Sequence, residues 1–217
     1  MSEAFEKAAA LGVVPVIAIE RAADAVALAD ALLEGGLPVA EITFRTEAAA
    51  EVIATLADKR PELLVGAGTV LTPEALDAAI SAGARFGLAP GFDAEIVEAA
   101  QGKAFAFAPG VMTPSDLSAA ARRNVKLAKF FPATAAGGPA MLEAISAPFA
   151  HLGMRFIPTG GIGEDSMGEW LKLKSVAAIG GTWIARKDDI SGGRWKDIAD
   201  KARRSVACAR EIREGGR

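Results

Sequence analysis

The sequence predicts an α/β fold, a single (β/α)8 barrel with a short helical segment ahead of it. Three observations predict this. Short apolar runs recur eight times along the chain. Each is followed by a turn signal and then by about ten to fifteen residues of helical pattern, the alternation that makes parallel strands joined by helical crossovers. Eight such units in 217 residues average about 25 residues each, which suits a barrel with almost no insertions.

Taken in order, the runs begin near Val13-Val14-Pro15-Val16-Ile17, Pro38-Val39-Ala40-Glu41-Ile42, Leu63-Leu64-Val65 and Arg85-Phe86-Gly87-Leu88. They continue at Ala104-Phe105-Ala106-Phe107, Val125-Lys126-Leu127-Ala128-Lys129, Arg155-Phe156-Ile157-Pro158 and Val176-Ala177-Ala178-Ile179. Thr72-Pro73 and Thr113-Pro114 each offer an N-cap followed by proline at the first helical position, and Thr46 is a candidate cap after the second strand. Leu88-Ala89-Pro90-Gly91 and Phe107-Ala108-Pro109-Gly110 repeat one strand ending. No linker or low-complexity block interrupts the chain, so residues 1–217 read as one domain. An open doubly wound sheet is the alternative fold. It lacks its expected Gly-x-Gly-x-x-Gly after the first strand, and glycine pairs cluster after the last two strands instead.

Composition narrows the chemistry. The chain has one Cys, one His and no Tyr, with 24 Lys plus Arg against 27 Asp plus Glu, a formal charge of −3. One cysteine excludes a disulfide framework, and a zinc site of several His or Cys ligands is impossible. The mildly acidic balance argues against a nucleic-acid surface. Neither a signal peptide nor an apolar run of membrane-spanning length appears, so the expected location is cytoplasmic with no membrane partner. Reactive groups must come from Lys, Arg, Asp, Glu, Ser, Thr and the backbone.

Strand parity then singles out charges. Ala40, Ile42 and Phe44 share one uniformly apolar face of the second strand, which leaves Val39, Glu41, Thr43 and Arg45 pointing into the barrel. In the sixth strand parity alone does not choose between Lys126 and Lys129. Lys126 lies near the strand's start, within reach of solvent, so Lys129 is taken as the inward lysine. A buried ammonium is costly unless it is paired or loses its proton. Lys129 and Glu41 therefore read either as a structural ion pair or as a lysine nucleophile towards a carbonyl beside a carboxylate. For the second, desolvation or cationic Arg45 must favour the neutral amine. All three residues fall at the strands' C-terminal ends, where sites of this fold lie.

Glycines suggest the rest of a site. Thr159-Gly160-Gly161 follows the seventh strand, and Gly180-Gly181-Thr182 follows the eighth. Those are the usual phosphate loops of the barrel, where backbone N–H groups and a following helix N-terminus attract an anion. Two tight strand-to-helix turns are the alternative reading. Gly66-Ala67-Gly68-Thr69 ends the third strand with small residues and a hydroxyl, either a floor for substrate or a packing requirement.

These segments, together with Glu41-Ile42-Thr43-Phe44-Arg45-Thr46-Glu47, Lys129-Phe130-Phe131-Pro132, Ala89-Pro90-Gly91 and Gly180-Gly181-Thr182-Trp183, resemble the class I 2-keto-3-deoxy-6-phosphogluconate (KDPG) aldolase family, which includes 2-keto-4-hydroxyglutarate (KHG) aldolases. The resemblance runs from about residue 13 to residue 183. It implies that Lys129 forms the Schiff base and Glu41 is the general acid/base. By the same resemblance Arg45 and Thr69 hold the pyruvate carboxylate, Pro90 and Phe131 wall the pocket, and Thr159 lies near the aldehyde-derived hydroxyl. Gly160, Gly161, Gly180, Gly181 and Thr182 match the phosphate end. A homotrimer and a cytoplasmic lyase that needs no metal or organic cofactor are also implied. Three departures stand out: Thr182 where the family commonly has Ser, Gly163 where Ser or Thr often caps a helix, and Ala133-Thr134-Ala135-Ala136-Gly137-Gly138 without the usual Glu.

The expected reaction is reversible cleavage of KDPG to pyruvate and glyceraldehyde 3-phosphate, with KHG as a further substrate. A metal-free phosphosugar epimerase or isomerase, and a barrel that binds a phosphorylated ligand without catalysis, are the other classes. His151, Cys208, Trp170, Trp183 and Trp195 read as loop, packing or anchor residues.

Overall fold

Parallel strands dominate the molecule, because each apolar run pairs with the next through a helix-bearing crossover. A computed structural model describes residues 1–215. The strands are β1 (Val13–Ile17), β2 (Val39–Thr43), β3 (Leu64–Gly68), β4 (Gly87–Leu88), β5 (Phe107–Ala108), β6 (Gly110–Val111), β7 (Leu127–Phe130), β8 (Arg155–Pro158) and β9 (Ile179–Gly181). They form two parallel sheets, β5-β4-β3-β2-β1-β9 and β6-β7-β8. Together these make a curled parallel α/β sheet.

The expected fifth strand is thus two pieces, and the reason is Pro109. A proline cannot donate to a ladder. Its carbonyl instead accepts from Lys129 N at 2.8 Å, while Gly110 N turns to the Gly91 carbonyl at 2.9 Å. At the other seam two single bridges join the chain, Phe156 of β8 with Val176 ahead of β9, and Thr159 just after β8 with Gly180 of β9. The eighth run therefore pairs mainly from Ile179 onward, later than its apolar start at Val176.

Around the sheet lie α1 (Glu3–Leu11), α2 (Ala25–Glu34), α3 (Ala49–Lys59), α4 (Pro73–Ser81), α5 (Ala94–Gly102), α6 (Pro114–Arg122), α7 (Gly138–Ser146), α8 (Met167–Leu171), α9 (Lys187–Ser191) and α10 (Trp195–Gly215). Thr72 and Thr113 cap α4 and α6 as their sequence suggests, the second with a capping box to Asp116. Thr46 does not cap α3. Its hydroxyl donates to the Ile19 carbonyl at 2.7 Å, tying the β2 loop to the β1 loop, and α3 starts after Ala48 without a side-chain cap.

Two features seal the end of the sheet opposite the strands' C-termini. Phe5 of α1 packs against Phe86, with ring centroids 5.6 Å apart. The Phe86 ring fills the space where a Cβ on Gly66 would sit, and Gly66 is the register partner of Glu41. Arg213 of α10 donates to the carbonyls of Ala9, Ala10 and Ala177, so the last helix clamps the end of the first. On the other side α10 lies against α2 and α8. Among the described residues no helix is long and apolar enough to cross a membrane.

Candidate active site

The register of β1, β2 and β3 places Val16 beside Glu41 and Thr43 beside Gly68. All five positions of β2 are buried, so Glu41 has no route to solvent along its strand. Its side chain is fully buried, and Oε1 accepts a hydrogen bond from Lys129 Nζ at 2.9 Å; Lys129 is 4% exposed. Glycine makes this possible, since a Cβ on Gly68 would overlap the Glu41 carboxylate. The other oxygen, Oε2, is buried with no hydrogen-bond partner among the described residues. A buried acceptor of that kind calls for a hydroxyl or a water. Lys126 points elsewhere, donating to the Leu152 carbonyl at 3.3 Å from an exposed position.

Above the pair lies a cavity of about 220 Å³ at the strands' C-terminal ends. Lys129, Arg45, Thr69, Pro90 and Phe131 all line it. Lys129 Nζ sits 5.8 Å from the centre of the Phe131 ring, a cation–π approach. Thr69 has φ 58°. A β-branched residue in the left-handed region is strained, and such strain concentrates at functional sites.

Thr159, Gly160, Gly161, Gly180 and Thr182 form the far wall. Gly160 and Gly161 both adopt positive φ, 103° and 76°, the conformation that glycine alone takes without penalty. Gly180 is the seat of Thr159, because a Cβ there would overlap the threonine hydroxyl. Two expectations change at this wall. Gly181 is off the lining, covered by the Trp183 ring, which would clash with any Cβ at that position. Nor does either loop run straight into a helix. Gly163 lacks a capping side chain, its N–H donates to Ser166 Oγ at 3.0 Å, and α8 starts only at Met167. After β9 the next helix is α9, from Lys187. The wall therefore offers glycine backbone and the side chains of two threonines, Thr159 and Thr182, without an adjacent helix terminus.

The structure adds Val16, Thr43 and Ile162 to the lining. Thr43 carried a signal in the sequence, as it shares the inward face of Glu41 and Arg45. Val16 and Ile162 have no polar atom to mark them. His151 is exposed in a short 3-10 segment, Cys208 is half-buried on α10, and Trp170 and Trp183 are core residues.

Known proteins resemble this chain in sequence and in fold. The sequence model of the KDPG and KHG aldolase family matches residues 5–201. The 2-dehydro-3-deoxy-phosphogluconate aldolase of Haemophilus influenzae is 42% identical over 93% of this chain and 94% of its own length. The KHG/KDPG aldolase of Escherichia coli K12 is 41% identical over 91% and 92%. A crystal structure of KDPG aldolase from Legionella pneumophila, with pyruvate captured at low pH as a covalent carbinolamine intermediate, superposes with a TM-score of 0.89 at 39% identity, covering 93% of this chain and 97% of that one. The Zymomonas mobilis enzyme with 3-phosphoglycerate gives 0.85 at 36%, over 94% and 95%. By sequence and by fold, the chain belongs to the KDPG and KHG aldolase family.

Proposed function

We propose that this chain is a class I aldolase, a lyase that reversibly cleaves 2-keto-3-deoxy-6-phosphogluconate to pyruvate and glyceraldehyde 3-phosphate. The observation that carries the reading is the Lys129–Glu41 pair, 2.9 Å apart and buried beneath an otherwise open cavity. Proton transfer across that bond gives a neutral amine and a carboxylic acid. The Lys129 amine attacks the C2 carbonyl to form a carbinolamine; the Glu41 carboxylic acid then protonates the carbinolamine hydroxyl, which leaves as water, giving an iminium and restoring the Glu41 carboxylate. Glu41 Oε2, the unpartnered oxygen, accepts the C4 hydroxyl proton directly or through a water. The C3–C4 bond then breaks, its electron pair passes into the iminium as an enamine, and the aldehyde leaves. Glu41 returns a proton to C3, and water releases pyruvate and the free lysine.

Arg45 and Thr69 are assigned to the carboxylate, Pro90 and Phe131 to the apolar walls around the enamine, and Thr159 to the aldehyde-derived hydroxyl. The phosphate end is assigned to Gly160, Gly161, Gly180 and Thr182. KHG is the further substrate of this reading. We read residues 1–217 as one domain in which the two sheets close as an eight-stranded barrel through Pro109 and the β8–β9 bridges. We assign it to the cytoplasm as a homotrimer. Leu71 and Met112, both exposed apolar residues just before the α4 and α6 caps, supply surface for such contacts.

Borohydride reduction in the presence of pyruvate, followed by peptide mass mapping, tests the mechanism. The expected adduct lies on Lys129 and disappears in Lys129→Ala. An adduct elsewhere, or one unchanged in that variant, rejects it.

A further inference from the structure

Arg45 is exposed at the cavity mouth, and a long side chain there needs something to aim it. Its Nε donates to Thr43 Oγ1 at 3.2 Å, and the same hydroxyl donates to the Ile17 carbonyl at 3.0 Å. Among the described residues this is the guanidinium's one hydrogen bond to the protein. Thr43 itself is 1% exposed, on the same strand face as Glu41. The hydroxyl has one proton and free lone pairs, so donation to Ile17 fixes its orientation and turns a lone pair towards Arg45. With Nε occupied, the two terminal nitrogens are the part of the guanidinium left to grip a carboxylate as a fork.

We propose that Thr43 is a positioning residue for the reaction: it anchors Arg45 to the end of β1 so that the guanidinium meets the substrate carboxylate in a fixed pose above Lys129. The inference rests on the assignment of Arg45 to the carboxylate. The relay acts on the encounter with substrate and leaves the covalent chemistry at Lys129 to the buried pair beneath it. A hydroxyl that merely held β1 to β2 would act on stability alone.

Cyanoborohydride trapping of pyruvate on Lys129, followed as a function of pyruvate concentration, separates these roles. Thr43→Val keeps the shape and removes the relay. Its half-saturating pyruvate concentration should rise about tenfold, the usual scale for a hydrogen bond to a charged group, with the plateau trapping rate within about twofold of wild type. Thr43→Ser should restore the wild-type value. Arg45→Gln should raise half-saturation at least as far, and Thr43→Val added to Arg45→Gln should raise it no further. Should valine not be accommodated, as judged by thermal melting, Thr43→Ala removes the same hydroxyl. If Arg45→Gln weakens pyruvate while Thr43→Val and Thr43→Ala do not, the positioning role is overturned and the carboxylate assignment stands. If neither position matters, both are overturned. Loss of melting temperature with half-saturation unchanged assigns the hydroxyl to the fold instead.

Discussion

A methyl group placed on Gly68 has nowhere to go but into the Glu41 carboxylate. Gly68→Ala should therefore separate Glu41 from Lys129 without removing any of the named reactive side chains. A displacement of about 1 Å in a catalytic group can cost on the order of 100-fold in rate, so we expect at least that loss in aldol cleavage with a cooperative melt retained. Activity within tenfold of wild type would show that the pair tolerates being moved. Thr69 makes the complementary case. Its left-handed backbone, φ 58°, costs about 1–2 kcal/mol for a residue with a Cβ. Thr69→Gly removes that strain and the hydroxyl together, so melting temperature should hold or rise while KM for the keto acid increases. A fall in both stability and affinity would contradict the strain argument.

Among the elements, the junction of α9 and α10 has the most concentrated charge. Asp189 is 5% exposed and accepts hydrogen bonds from Arg194 at 2.7 Å and 2.9 Å and from Lys201 at 2.6 Å. Burial pushes its carboxyl up, but the bonds from Lys201 and Arg194 together outweigh burial and hold it below the usual carboxylate range. A folded-state value lower than the unfolded one means that ionised Asp189 stabilises the fold at neutral pH. The contribution is complete above roughly pH 4, the unfolded carboxylate value, and is lost as pH falls through the lower folded value. Asp189→Asn should cost about 1–3 kcal/mol at pH 7, and the gap to wild type should narrow below about pH 4. Thermal melts across pH 2.5–7 (a range set by the roughly pH 4 midpoint) read this directly, and a gap that stays constant would exclude an ionic role. The same scale shows why boundaries were harder to read than existence. Thr46 looks like a cap by position, yet Ile19 lies across the loop and takes its hydroxyl. Such a competitor becomes visible only once β1 and β2 are side by side.

At the scale of the whole molecule, light scattering should give three times 22.3 kDa if the trimer assignment is right. A monomer would leave Leu71 at 58% exposure without cover. The strand-and-helix alternation was readable because the sheet is parallel and buried on both sides, so each strand is a nearly continuous apolar run. Charges inside such runs stand out, which is how parity singled out Glu41, and how distance from the strand's exposed start then chose Lys129 over Lys126. What stayed hidden depended on neighbours distant in sequence: the seat that Gly180 leaves for Thr159, the Trp183 ring over Gly181 and the relay through Thr43. The plug at the far end of the sheet has a further consequence, for synthesis. The helix carrying Phe5 is made long before Phe86, its aromatic partner, and longer still before Arg213, its clamp. A nascent chain can therefore form the Phe5–Phe86 contact well before the Arg213 clamp on the end of α1 exists. Until Phe86 is made, the Phe5 ring is an apolar face without its aromatic partner, the kind of exposure that invites association of incomplete chains.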